Sequence, residues 1–220
     1  MLKKLFFLFA LLIILNDLKA EPGQLLSVGP FLTFKGGVNG SEVLKGRKNK
    51  VTFNSIPDFG ASCFVPLNET GKLAVIVDLA YSSYSFGIKD ANGTKEFTEN
   101  FSYVSLSPNF YFQGFYIGFN FGMPAAADFG STIDVGKIAT LTEIRVGGKI
   151  PLYTDDTGTL NFIIQGAYML SGVFSDFENN DPLKNEIPPI PPDKLASQYN
   201  PRVVSASLGI SYLFNINYGK

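Results

Sequence analysis

The chain has 220 residues, 45% hydrophobic and only 17% charged, with 21 Phe, 10 Tyr, 22 Gly, no Trp and no His. That length allows one sizeable domain, and aromatics and glycine at this level favour strands and turns over helices. The lack of histidine excludes Ser-His, Cys-His and histidine-metal chemistry, the single Cys63 excludes an internal disulfide, and a net charge of -1 gives no electrostatic reason to expect nucleic acid.

The N-terminal stretch MLKKLFFLFALLIILNDLKA places Lys3 and Lys4 before an apolar run from Leu5 to Leu15, followed by a short polar segment ending at Ala20. This predicts a cleaved secretory signal peptide over residues 1–20, because the apolar run is shorter than the ~20 residues of a spanning helix. Residues 21–220 then form one domain. Losing Lys3, Lys4, Lys19 and Asp17 leaves 15 basic and 18 acidic residues, a mature charge of -3.

From there the chain alternates with period two, the strand signal, and no sustained helical stripe follows the signal peptide. Eight such runs are predicted, at about 25–34, 56–67, 73–87, 98–112, 115–126, 140–153, 159–174 and 203–217. In the fifth, Phe115, Ile117, Phe119, Phe121 and Met123 oppose Tyr116, Gly118, Asn120 and Gly122. In the last, Val204, Ala206, Leu208, Ile210, Tyr212 and Phe214 oppose Ser205, Ser207, Gly209 and Ser211.

The connections alternate strictly in length. NETGK, QG and TDDTG are tight turns with glycine at hand for a positive dihedral, whereas 35–55, 88–97, 127–139 and 175–202 are longer. An even-stranded meander with its short turns at one end and long loops at the other is the pattern of a transmembrane barrel. The predicted fold is therefore all-β: an eight-stranded antiparallel up-and-down transmembrane β-barrel, termini at the short-turn end and long loops outside.

Parity alone is blind to which face points outward. Two features favour apolar-out: the polar face is built of Ser, Gly, Asn and Ala rather than the dense Lys and Glu of a solvent face, and small residues suit the narrow lumen of eight strands. Tyr81 and Tyr84, with Phe112, Phe115, Tyr116, Tyr153 and Tyr218, are read as interfacial girdles.

The few charges within strands share the polar parity. Asp58, Asp78, Glu143, Arg145 and Lys149 are predicted to point into the lumen, with Asp78, Glu143, Arg145 and Lys149 bridging and plugging it, since buried charges need partners. A water-filled lumen with independently solvated charges is the alternative. Cys63 falls on the apolar parity beside Ala61 and Val65 and reads as a small apolar residue. No catalytic residue, metal site or cofactor is expected. Asn92-Gly93 is a turn rather than a calcium loop, and the segment EIPPIPPDK prefers extended polyproline geometry in an outer loop. In the first long loop Lys45, Arg47, Lys48 and Lys50 cluster as contact candidates for lipid phosphates or an acidic partner.

With its leader, its eight alternating strands, the GPFLTFKGG opening and IPDFGASCFVPL before the NETGK turn, the chain resembles the small outer-membrane β-barrel domain proteins of Bacteroidota and relatives, including the PorT-like group. The resemblance spans residues 21–220. It implies residence in the bacterial outer membrane among its lipids and lipopolysaccharide, and insertion by the barrel assembly machinery. The latter's recognition signal, a final amphipathic strand with a terminal aromatic, is matched by Tyr212, Phe214, Ile216 and Tyr218, although Gly219 and Lys220 follow the last aromatic. The expected function is a non-enzymatic, monomeric barrel with a structural, surface-interaction or accessory role through its outer loops. A soluble ligand-binding barrel with an apolar pocket and a small-solute channel are the alternatives.

Overall fold

A computed structural model describes residues 26–43, 47–90, 96–129, 132–180 and 195–216. The leader, Lys45, the polyproline segment and Tyr218 lie outside the described residues.

Ten antiparallel strands form one sheet. The long staves are β1 (Leu26–Asn39), β4 (Asp58–Pro66), β5 (Leu73–Asp90), β6 (Glu96–Phe112), β7 (Phe115–Asp128), β8 (Leu141–Thr154), β9 (Gly158–Met169) and β10 (Val203–Ile216). Each pairs with the next, and β10 pairs with β1 from Leu26↔Ile216 to Asn39↔Val203, closing the ring. Two short strands, β2 (Arg47–Lys50) and β3 (Thr52–Phe53), pair with β5 and β1 respectively. They occupy the gap between β1 and β5 above the end of β4.

The register fixes the barrel's dimensions. Following paired residues from Ser27 through Phe64, Ile76, Asn109, Gly118, Arg145, Ala167 and Ser205 returns to β1 at Gly37, ten residues beyond the start. Eight staves with that stagger tilt by about 40° and enclose a backbone radius of about 8 Å, just wide enough to be filled by side chains. Twelve residues of a stave so tilted rise about 30 Å, the thickness of a hydrocarbon core.

The short turns lie at the end that holds Leu26 and Ile216. Between Phe112 and Phe115 the loop is Gln113-Gly114, with φ of 49° and 96°. Left-handed dihedrals at both positions give the hairpin turn whose twist matches its strands. In the turn after β8, Asp155 accepts hydrogen bonds from the backbone of Thr157 and Gly158 and from the Thr157 hydroxyl.

The faces are inverted relative to a water-soluble barrel. Ser62, Ser82, Ser105, Ser107, Asn120, Ser207 and Ser211 are buried in the lumen, while Leu79, Val104, Phe110, Ile117, Phe119, Val146, Ile150, Ile164, Leu208, Ile210 and Phe214 are exposed on the outside. Cys63 faces outward with them, partly covered.

Several expectations are corrected. The segment 35–55 is not all external loop: β1 runs on to Asn39, and Lys35, in phase with Thr33, is buried in the lumen. Tyr84 and Tyr116 are not girdle residues. They share the parity of Asp78 and Asn120 and point inward, only 1% and 6% exposed. The seventh predicted run leaves the sheet at Met169 instead of continuing to 174, because Val173 and Phe174 turn in over the barrel mouth. The connections 127–139 and 175–202 are not wholly exposed either: Ile138, Phe177 and Tyr199 are buried beneath them.

Candidate functional site: a filled lumen under a capped mouth

The interior is stacked in three layers. At the short-turn end Ala74, Ile76 and Leu213 are buried, and Phe64 meets Tyr111 edge to face with ring centroids 5.2 Å apart. The middle layer carries the charges. Above it, at the loop end, the inward side chains become mostly apolar, with Glu99 buried among them.

All five predicted lumenal charges are in the middle layer, and each is less than a tenth exposed. Glu143 and Arg145 are two residues apart on β8 and so lie on one face. Arg145 Nε donates to Glu143 Oε1 at 2.6 Å, while its other nitrogens donate to Ser107 Oγ at 2.9 Å and Tyr84 Oη at 3.3 Å. Tyr84 donates to the same Glu143 oxygen at 3.0 Å, and Asn120 Nδ2 lies between Tyr84 and Glu143. Ser107 in turn donates to Asn120 Oδ1 at 2.7 Å. One ion pair is thus tied to β5, β6, β7 and β8.

A second cluster crosses the lumen between β4, β5 and β8. Lys149 Nζ donates to Ser62 Oγ at 2.7 Å, and Ser62 donates to Asp78 Oδ1 at 2.5 Å. Lys149 is 3.7 Å from Asp78 itself, so the serine carries much of the linkage. The third cluster joins Lys35 to Asp58 at 2.5 Å, with the ammonium also 3.7 Å from the centre of the Tyr84 ring. Asp58 Oδ1 accepts from the Ser83 backbone at 2.7 Å, beyond the end of its own strand's pairing.

Sequence reasoning places Lys35 in a loop and so misses this cation, which makes the six central charges three of each sign. Its alternation with Thr33 is the available signal, hidden by a first predicted run that ends at residue 34. Likewise Tyr84, Tyr116, Asn120 and Gln165 act as polar links. Tyr116 donates to Gln165 at 2.9 Å, passing over Gly147, where a Cβ would come within 2.5 Å of its ring.

Between the clusters remains a cavity of about 10 Å³, lined by residues that include Asp58, Asp78, Arg145 and Lys149. That is the room of about one water molecule. Around this cavity the charges pair with one another, in an environment where unpaired ions cost several kcal/mol.

The cap is built from the long connections. Phe86 and Phe101 are stacked, ring centroids 6.0 Å apart, and Phe174 stands edge-on to Phe101 at 6.0 Å. Ile138, Val173, Phe177 and Tyr199 join them with Met169 and Val203, and Phe97 and Phe129 pack at the side. Asn200 pins the cap through bonds with the backbone of Phe174 in both directions.

Of the loop contact candidates, Arg47, Lys48 and Lys50 lie on β2. Lys50 pairs with Glu96, and Lys89 pairs with the other oxygen of the same carboxylate at 2.5 Å. These two ammonium groups hold the Glu96 carboxyl down to about 2. In the terminal strand Tyr212, Phe214 and Ile216 face outward, and the Tyr212 and Phe214 rings are 4.7 Å apart. Among the described residues no group of three or more His, Cys, Asp or Glu is placed to hold a metal ion.

No family model matches the chain, and no curated protein does. Among solved structures it is similar to the translocator domain of autotransporter NalP from Neisseria meningitidis, at 9% identity, covering 91% of this chain and 92% of that one, with a TM-score of 0.32.

Proposed function

We propose that this chain is an integral outer-membrane barrel without enzymatic activity, whose lumen is closed and whose work is done by its outer face. The observation that carries this reading is the inversion of its faces: serines, asparagines and paired charges inside, aliphatic and aromatic side chains outside. In water, outward side chains gain little by folding because they stay wet, and a polar interior offsets little of the ~100–200 kcal/mol of conformational entropy that ordering a domain of even 100 residues costs. A contiguous apolar belt of this extent is also far beyond the few hundred Å² that soluble monomers expose. Lipid removes both difficulties. Closure into a ring leaves the eight staves no open sheet edge, the second condition for crossing a bilayer with strands.

The paired charges across the lumen favour a scaffold over a small-solute channel, and the polar lining at mid-barrel argues against a soluble carrier of an apolar ligand. Residues 21–220 then form the barrel domain, as in the small outer-membrane barrel proteins of the PorT-like pattern. Its surroundings are outer-membrane lipids and lipopolysaccharide, its inserting partner is the barrel assembly machinery, and it acts as a monomer.

The test is migration of the refolded mature chain in gels with and without boiling, alongside carbonate extraction of membranes. A boiling-dependent shift with retention in the pellet is the expected result. Release into the soluble fraction without a shift would overturn the membrane reading, and resolved conductance steps in planar bilayers would overturn the closed lumen.

A further inference from the structure

Among the described side chains, the outward face of the β2–β5–β6 corner carries more positive than negative charge. In the register Lys48 stands directly opposite Lys89, Lys50 opposite Gly87, and Lys89 opposite Glu96, so all four side chains share one face. That face is the outer one: Lys89 has the parity of Leu79 on the same uninterrupted strand, while its neighbour Ile88 is buried in the cap. Like charges directly opposite in a sheet are destabilising. Glu96 divides its two oxygens between Lys50 and Lys89, leaving three cations against one anion and the exposed Lys48 with no acid in the row. An arrangement unfavourable by itself is relieved by an external anion.

What lies below this patch says where that anion sits. The chain runs from Lys50 straight into Val51, Phe53 and Ile56, which are 60%, 83% and 48% exposed, and on to Phe59, stacked on Tyr81 at 5.5 Å. Exposed aromatic and aliphatic side chains giving way within one or two residues to a row of lysines mark a boundary between acyl chains and charged headgroups.

We infer that Lys48, Lys50 and Lys89 form a binding site for the phosphate groups of the outer-leaflet glycolipid, lipid A, with the sugar over Lys48 and the acyl chains against Phe53 and Val51. This rests on the outer-membrane reading above. Glu96 acts as a positioning residue, holding two of the ammonium groups side by side without cancelling their charge.

The experiment measures binding of bisphosphorylated lipid A, and of lipid A stripped of its phosphates, to the full chain refolded in nanodiscs. The parent should prefer the phosphorylated lipid by about tenfold or more, and the preference should shrink as salt rises. The triple variant K48Q/K50Q/K89Q should lose that preference, and the triple arginine variant should keep it. Equal binding of both lipids by the parent, or an unchanged preference in the glutamine variant, overturns the proposal. Heat-modifiable migration of each variant keeps the two readings apart: a barrel that inserts but does not discriminate phosphate refutes this site alone, whereas one that never inserts refutes the reading beneath it.

Discussion

Removing Arg145 is the most informative single perturbation of the lumen. The Arg145→Met variant keeps most of the side-chain volume but deletes the 2.6 Å bond to Glu143 and the bonds to Ser107 and Tyr84. Glu143, which is 0% exposed, would then be left with the Tyr84 hydroxyl and the Asn120 amide alone. Breaking a buried pair by removing one partner costs about 3–5 kcal/mol, whereas replacing both partners by apolar groups is often neutral. Arg145→Met should therefore lower stability by about 3–5 kcal/mol, and adding Glu143→Leu should recover most of that loss instead of deepening it. The chain has no Trp, so the assay is urea unfolding from lipid vesicles followed by far-ultraviolet circular dichroism, or by the folded and unfolded bands of unboiled gels. A loss under about 1 kcal/mol would mean that water solvates Glu143 freely, and the dry, mutually paired lumen would be wrong. A double variant as unstable as the sum of its singles would equally remove the coupling on which the argument depends.

Three further outcomes follow from other parts of the molecule. Leu208→Arg, on the outer face of the last stave, should cost about 2–4 kcal/mol in a bilayer if it lies near mid-depth, while tolerance of that arginine in vesicle refolding would contradict a lipid-facing belt. The adjacent glycines of β8 should respond differently to alanine. At Gly147 a Cβ meets the Tyr116 ring and hydroxyl at 2.5 Å, at Gly148 nothing nearer than 3.4 Å, so Gly147→Ala should cost about 1–3 kcal/mol and break the Tyr116–Gln165 bond, with Gly148→Ala close to neutral in the same unfolding assay. Finally, the Glu96 carboxyl is depressed to about 2 by hydrogen bonds from Lys50 and Lys89. A depressed carboxyl contributes stability that is fully present above its unfolded value near 4.5 and lost as pH falls through about 2. Amide exchange at the tips of β5 and β6 should accelerate over that window, less so in high salt, and exchange indifferent to pH there would remove the role assigned to the pair.

The strands were legible because period two is a local property of the chain. Val204 to Phe214 alternates in sequence as it does in space, and the pairing of β10 with β9 needs no residue outside that pattern. The shared parity of Glu143, Arg145 and Lys149 along one strand is local in the same way, so the sequence alone places them on one face. Their partners are not local in that sense. Which hydroxyl links Lys149 to Asp78, and which aromatic ring receives Lys35, depends on the ten-residue stagger of the closed sheet, a property of all eight staves together.

The amino-acid sequence by itself determined the strands, the alternation of short turns with long connections, and the exclusion of histidine chemistry, because each is a matter of residue type and spacing along the chain. Only the tertiary structure decided which face points outward, that Tyr84 and Tyr116 belong to the lumen, and that residues around Ile138, Phe174 and Tyr199 close the mouth. Alternation looks the same from either side of a sheet. A side chain acquires an inside only when the ring closes around it, and a loop becomes a cap only when the strands bring its apolar residues over the same opening.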